Sequence, residues 1–205
     1  MCSRYFLDEA AFRRAEAWAG PETREKENSP CAQAGDIHPN EEAWVLLCEN
    51  GQIDWEKMRW SFPASKNRGI LFNVRCESIL EKGWFREDMT YRRCLVPAAG
   101  FYEWDRGKNK ITFEGENGAV LYMAGFYQWF PEGKRFVILT TKANASVRRV
   151  HDRMPLIFSE EEGKRWLLEN GPTAELLKKE PENLKKSAEY EQQVLPFCFD
   201  GGTPY

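Results

Sequence analysis

Asn50-Gly51 constrains this fold more than any other feature. It stands between two runs rich in aromatic and aliphatic residues, 43–49 and 52–62. Both central residues of a tight hairpin turn need positive φ, and Asn-Gly supplies them at low cost. The segment therefore reads as two antiparallel strands. Residues 110–113 and 120–129 also read as strands, joined through Glu116-Asn117-Gly118. Residues 135–141 (RFVILTT) have the composition of a buried strand. Residues 93–104 read as a strand interrupted at Ala98-Ala99-Gly100, and 2–7, 70–74, 154–158 and 194–199 as shorter strands.

Helical patterns are fewer and marginal. Residues 9–19 follow the N-cap residue Asp8 and end at Gly20-Pro21. Others are expected at 77–82, 143–150, 160–170 (closed by Gly171-Pro172) and 173–179. Residues 20–36 are polar and turn-rich, a surface loop, and 63–69 form a basic loop. Many hairpin-joined strands without β-α-β alternation indicate α+β: a largely antiparallel sheet or barrel-like core with peripheral helices. A single domain over 1–205 is expected, with a helical portion at about 160–190 packed on it.

The composition narrows the partners. A formal net charge of −3 argues against a protein that coats duplex DNA, though a local basic groove is compatible with it. The six cysteines form no C-x-x-C pair and neither histidine stands at ligand spacing from one, so no metal or other cofactor is expected. Residues 1–10 lack the pattern of a secretory signal, and no apolar run approaches the roughly 20 residues of a bilayer span. Reduced thiols, a cytoplasmic location and no membrane contact follow as expectations.

Several residue types invite chemistry. Cys2 follows the initiator Met, and removal of Met1 would leave an amine and a thiol on one residue, a 1,2-aminothiol that condenses with aldehydes. Their reference pKa values lie near neutrality, about 7.7–8.0 and about 8.5. His151 is flanked by Asp152 and Arg153 at an element boundary. Glu103 sits between Tyr102 and Trp104. Desolvation there would make it a proton shuttle, whereas strict alternation would turn it to water and its aromatic neighbours to the core. Asn73 and Arg75 alternate on one strand, an amide and a planar cationic fork suited to phosphate. Trp60, beside the basic loop, suits either base stacking or a core edge.

Taken together, M-C-S-R-Y (1–5), W-S-F-P (60–63), N-V-R-C-E (73–77), R-R-C-L-V-P-A-A-G-F-Y-E-W (92–104) and H-D-R-M-P (151–155) resemble the SRAP family, the SOS-response-associated peptidase or abasic-site processing proteins. The resemblance covers residues 1 to about 160 and extends more loosely beyond. It implies the SRAP fold and a monomer that acts on abasic sites in single-stranded DNA during the DNA damage (SOS) response, nucleoid-associated when bound. It also implies a thiazolidine crosslink through Cys2 and a peptidase-like removal of Met1, with lyase-type reversal. Asn73 would hold the amine or the opened sugar, Glu103 would move protons, and His151 would act as acid and base near the sugar oxygen. Arg75 and Arg4 would clamp phosphates, Thr141 would contact the backbone, and Trp60 and Pro39 would support or wedge flanking bases.

The chain departs from the family's pattern at Ser3 and Ser61, both usually Gly. Cys76 replaces a small residue and is expected to place a second thiol near the groove. Two rival readings remain at this level. One is an N-terminal-nucleophile cysteine amidohydrolase with Asn73 as oxyanion donor. The other is a non-catalytic single-strand binding module indifferent to Cys2.

Overall fold

A computed structural model describes residues 2–19, 35–64, 69–82, 85–169 and 173–188. In chain order the strands are β1 (Tyr5–Leu7), β2 (Gly35–Ile37), β3 (Glu42–Glu49), β4 (Gln52–Trp60), β5 (Phe62–Pro63), β6 (Ile70–Leu71), β7 (Asn73–Arg75) and β8 (Arg93–Ala98). They continue as β9 (Gly100–Trp104), β10 (Lys110–Glu114), β11 (Leu121–Phe130), β12 (Gly133–Lys142), β13 (Arg153–Pro155), β14 (Ile157–Phe158) and β15 (Lys185–Ala188). The helices are α1 (Glu9–Glu16), α2 (Cys76–Lys82), α3 (Arg86–Tyr91), α4 (Glu160–Leu168) and α5 (Thr173–Leu176).

The Asn50-Gly51 hairpin forms as the sequence requires. Glu49 faces Gln52 across the turn, and both turn residues have positive φ, 53° and 78°. From this hairpin the sheet grows antiparallel through β8, β11 and β12. It closes where β12 meets β4 in parallel, Arg135 beside Arg59. The result is a closed five-stranded barrel, which removes the exposed edges an open sheet would leave. Its strands are packed on both faces, with Met123, Phe136 and Ile138 on one and Leu46, Leu95 and Phe126 on the other, all without solvent exposure. Beyond the end of β4, β12 goes on to pair in parallel with β7, Ile138 beside Asn73. One strand thus carries two short partners in succession.

A second sheet runs β15-β10-β9-β1-β2, antiparallel throughout. The break expected at Ala98-Ala99-Gly100 is the point where the chain leaves the barrel for this sheet. Gly100 is required there, because a Cβ would lie 2.5 Å from the Phe113 carbonyl oxygen. Asp8 caps α1 by accepting from Ala11 N at 2.7 Å, and Phe12 packs on Trp55 with ring centres 5.4 Å apart. The α4 helix begins with a reciprocal Ser159–Glu162 capping box and seats Trp166 on the barrel, its Nε1 donating to Cys94 O at 3.0 Å. The buried Arg93 donates to Met89 O in α3 and to Trp166 O and Glu169 O at the end of α4. One guanidinium therefore satisfies carbonyls that two helix ends leave open.

Some expectations need correction. Residues 143–150 form successive turns rather than a helix. Asn144 Oδ1 takes the Ser146 and Val147 N–H groups, so the backbone there has partners other than a helical ladder. The strand expected at 154–158 splits at Leu156, because β13 pairs with β12 and β14 with β11. Gly35 and Asp36, read as the end of a loop, are strand residues paired with Leu7 and Phe6. Helix α3 and strand β15 carry too few apolar residues to be seen by pattern. The Gly20-Pro21 and Gly171-Pro172 signals, the rest of the 20–34 loop and the strand expected at 194–199 lie outside the described residues. Among the described residues no helix is long and apolar enough to cross a membrane.

Candidate functional site

Cys2 leads into β1 and has no solvent exposure. β1 lies between β9 and β2, and Tyr102 N donates to Arg4 O at 3.0 Å, carrying the β1–β9 ladder toward Cys2. From the other side, β12 aligns β7 so that Asn73 Nδ2 donates to the Cys2 carbonyl at 2.7 Å. This bond joins the second sheet to the barrel sheet at the residue that carries the thiol. Asn73 is itself buried, and its Oδ1 has no hydrogen-bond partner among the described residues. A buried acceptor left open is unfavourable, and it can receive an N–H from an amine beside Cys2.

Glu103 corrects the alternation argument. In β9 it is Phe101 and Glu103 that turn inward, with Glu103 only 4% exposed, while Trp104 is exposed. Tyr102 is covered from outside instead, by Phe6, by Arg4 5.3 Å from its ring centre and by Lys110 at 4.8 Å. Burial raises the Glu103 carboxyl above its ordinary pKa, with His151 pulling against that rise. The Cys2 thiol is pushed up from 9.0 to about 12, first by burial and then by the negative charge of Glu103. At neutral pH it is a thiol, and it becomes a nucleophile only when a neighbour takes its proton.

His151 closes the group. Its Nδ1 lies 3.0 Å from Arg153 N and 3.0 Å from Asp152 Oδ1. A neutral ring accepts from the first, and a protonated ring donates to the second. Each protonation state therefore has a partner in place, which suits a group that takes and returns a proton. Arg153, in the same stretch, donates to both Glu77 oxygens, at 2.7 and 2.9 Å, and to Thr140 O at 2.6 Å. It ties the His151 segment to α2, directly after Asn73 and Arg75. Sequence reasoning missed this pair. Both residues stand in the recognised blocks, but nothing local marks two residues so far apart in the chain as partners.

The structure brings Cys2, Asn73, Glu103 and His151 together. Arg75 is exposed on β7 opposite Thr140, and Thr141 is half-buried on β12 opposite Met154. Arg4 is ion-paired with Asp36, which also accepts from the Tyr102 hydroxyl at 3.0 Å. Partial burial raises the Asp36 pKa, but the hydrogen bonds from Arg4 and Tyr102 outweigh this and hold it below the ordinary value. Pro39 is half-buried in the turn after β2.

Trp60 takes the core role rather than the stacking one. It is fully buried, its Nε1 donates to Phe72 O at 2.9 Å, and its ring meets Tyr5 edge-on at 5.1 Å. It braces β1 and the residue before Asn73 from beneath, and has no open face for a base. Cys76 also points inward, at 1% exposure, so it adds no thiol to the groove. Ser61 is fully buried at φ 155°, with a hydroxyl lacking a partner among the described residues, which is why glycine suits that position.

Residues 1–194 match the family described as SOS response associated peptidase (SRAP). The abasic site processing protein YoqW of Bacillus subtilis (strain 168) is 32% identical over 145 residues, covering 64% of this chain and 65% of that protein. The abasic site processing protein HMCES of Rattus norvegicus is 30% identical over 154 residues, covering 54% and 44%. This chain thus matches under two thirds of the length of either relative. Among solved structures, a phage-related protein from Bordetella bronchiseptica superposes with a TM-score of 0.74 at 22% identity, over 93% of this chain and 95% of that one. At that identity the likeness speaks for the fold.

Proposed function

This chain belongs to the SOS response associated peptidase (SRAP) family, and on that premise we propose that it captures abasic sites in single-stranded DNA as a covalent adduct of Cys2. The named activity of its relatives, abasic site processing, supports the substrate. The observation that carries the chemistry is the Asn73–Cys2 bond, which holds the start of the chain beside a buried carboxylate.

The proposed sequence of steps balances. Loss of Met1 frees the Cys2 amine. That amine adds to the ring-opened deoxyribose aldehyde, forming a C–N bond and a carbinolamine. A protonated Glu103 or His151 gives its proton to the departing hydroxyl, water leaves, and a protonated imine remains. The thiol then loses its proton to the Glu103 carboxylate as sulfur attacks the iminium carbon, and the nitrogen keeps its proton as a neutral ring amine. The product is a thiazolidine and the net by-product is one water. A carboxyl with a raised pKa suits both directions of transfer. Arg75, Arg4 and Thr141 would hold the flanking backbone, Arg4 by exchanging Asp36 for phosphate.

One feature weighs against an amidohydrolase. Its oxyanion donor would be Asn73 Nδ2, which is occupied by the carbonyl of Cys2 itself. The test is a denaturing gel of Met1-processed protein incubated with a single-stranded oligonucleotide bearing one abasic site. A shifted band that disappears in Cys2→Ala is expected. No band, or a band indifferent to Cys2→Ala, refutes the proposal.

A further inference from the structure

His151 hangs from a closed loop whose support comes from elsewhere in the chain. Ala143 N donates to Asp152 O at 3.0 Å and closes the mouth of the loop, and His151 N donates to Val147 O at 3.1 Å. Inside it, the buried Asn144 uses both ends of its amide. Oδ1 accepts from Ser146 N at 3.0 Å, Ser146 Oγ at 2.7 Å and Val147 N at 3.3 Å. Nδ2 leaves the loop and donates to Pro181 O at 3.0 Å and Glu182 O at 2.7 Å. Leu184 N donates back to Ser146 Oγ at 3.1 Å.

The stretch that receives these bonds runs straight into β15, which pairs with β10, Ala188 beside Ile111. Ile111 in turn faces Glu103 on β9. A continuous eight-residue segment, 181–188, therefore grips the loop of His151 at one end and backs the strand pair of Glu103 at the other.

We propose that residues 181–188 are a strap that sets the position of His151 relative to Glu103, with Asn144 as the positioning residue through which it acts. The inference rests on the reading of His151 as a proton-transfer group. Asn144 touches no reacting atom, so its effect must pass through His151.

A double-mutant cycle with Asn144→Ala and His151→Ala tests this, read as the rate of crosslinking to an abasic oligonucleotide. Binding to the same oligonucleotide with a tetrahydrofuran residue, which has no aldehyde, is measured alongside. Asn144→Ala is expected to slow crosslinking roughly tenfold, the scale of a small misplacement of a reacting group, with binding changed less than about twofold. In the His151→Ala background it is expected to add less than about twofold. Asn144→Asp keeps the three acceptor bonds within the loop but loses both donations to the strap, so it is expected to match Asn144→Ala.

Full activity in Asn144→Asp, multiplicative effects in the cycle, or loss of binding in step with rate would each overturn the strap. If Asn144→Ala does not fold, Ser146→Ala, which removes the bond from Leu184, enters the same cycle under the same criteria. If His151→Ala alone crosslinks at the wild-type rate, the role given to His151 fails and the strap falls with it. A normal effect of His151→Ala with an additive Asn144→Ala sinks only the strap.

Discussion

Replacing Glu103 by Gln separates three consequences of one buried carboxylate, and they do not share a sign. The thiol of Cys2 rises from 9.0 to about 12. At pH 7.5 that lowers its thiolate fraction by about a thousandfold, from about 3% to about 0.003%. Burial causes most of the rise, and the Glu103 charge adds to it. Gln keeps the shape and removes the charge, so the alkylation midpoint of Cys2 should move to lower pH. Iodoacetamide labelling at a series of pH values below about 10, followed by peptide mapping, reads the shift as faster alkylation of Cys2 at each pH.

Crosslinking should move the other way, slower by about a hundredfold or more, since a positioned proton carrier typically contributes that much. Stability gives the third sign. Glu103 has a folded pKa above its ordinary 4.5. Its contribution is therefore fully present below about pH 4.5 and is lost as pH rises through the folded pKa. Glu103→Gln should match the wild type near pH 4 and unfold at a higher temperature at pH 7. A variant with a lowered midpoint but unimpaired crosslinking would refute the proton-carrying role. A variant destabilised at pH 7 would refute the account of the buried charge.

Three further substitutions probe the frame around the site. Ser61→Gly relieves a positive φ and removes a buried hydroxyl without a partner among the described residues, so it should stabilise the protein by about 1–2 kcal/mol; a lower midpoint in thermal unfolding contradicts this. Trp60→Phe loses the bond to Phe72 O and should cost about 1 kcal/mol in urea unfolding while leaving single-stranded DNA affinity unchanged. Weaker DNA binding at unaltered stability would return Trp60 to the DNA interface. Arg93→Met strips donors from the ends of α3 and α4 and should destabilise by about 3 kcal/mol, and a loss below about 1 kcal/mol means water replaces them.

What the sequence reveals here depends on how local each cause is. The Asn50-Gly51 turn, the Asp8 cap and the break before Gly100 were legible because each is settled within a few residues. The parallel seam between β4 and β12 was not, since neither strand carries a mark of its distant partner. The chemical residues Cys2, Asn73, Glu103 and His151 could be named from their motif blocks. Their orientation could not. Glu103 turns inward because Arg4, Lys110 and Phe6 cover Tyr102 from outside, which leaves the inner face of β9 to Phe101 and the carboxylate. By sequence Trp60 suits either a base or the core, and the bond to Phe72 O decides for the core. The bonds of Asn144 to residues 181 and 182 belong to no motif and emerge only from the folded chain.

The place of β1 between β9 and β2 also sets a clock. At about 5–20 residues per second, ribosomes make β9 some 5–20 s after Cys2, and β15 about twice as long after it. Until β9 exists, β1 lacks the neighbour that walls in the thiol. Translation speed between Cys2 and β9 therefore sets how long the segment that leads into β1 stays open to other enzymes.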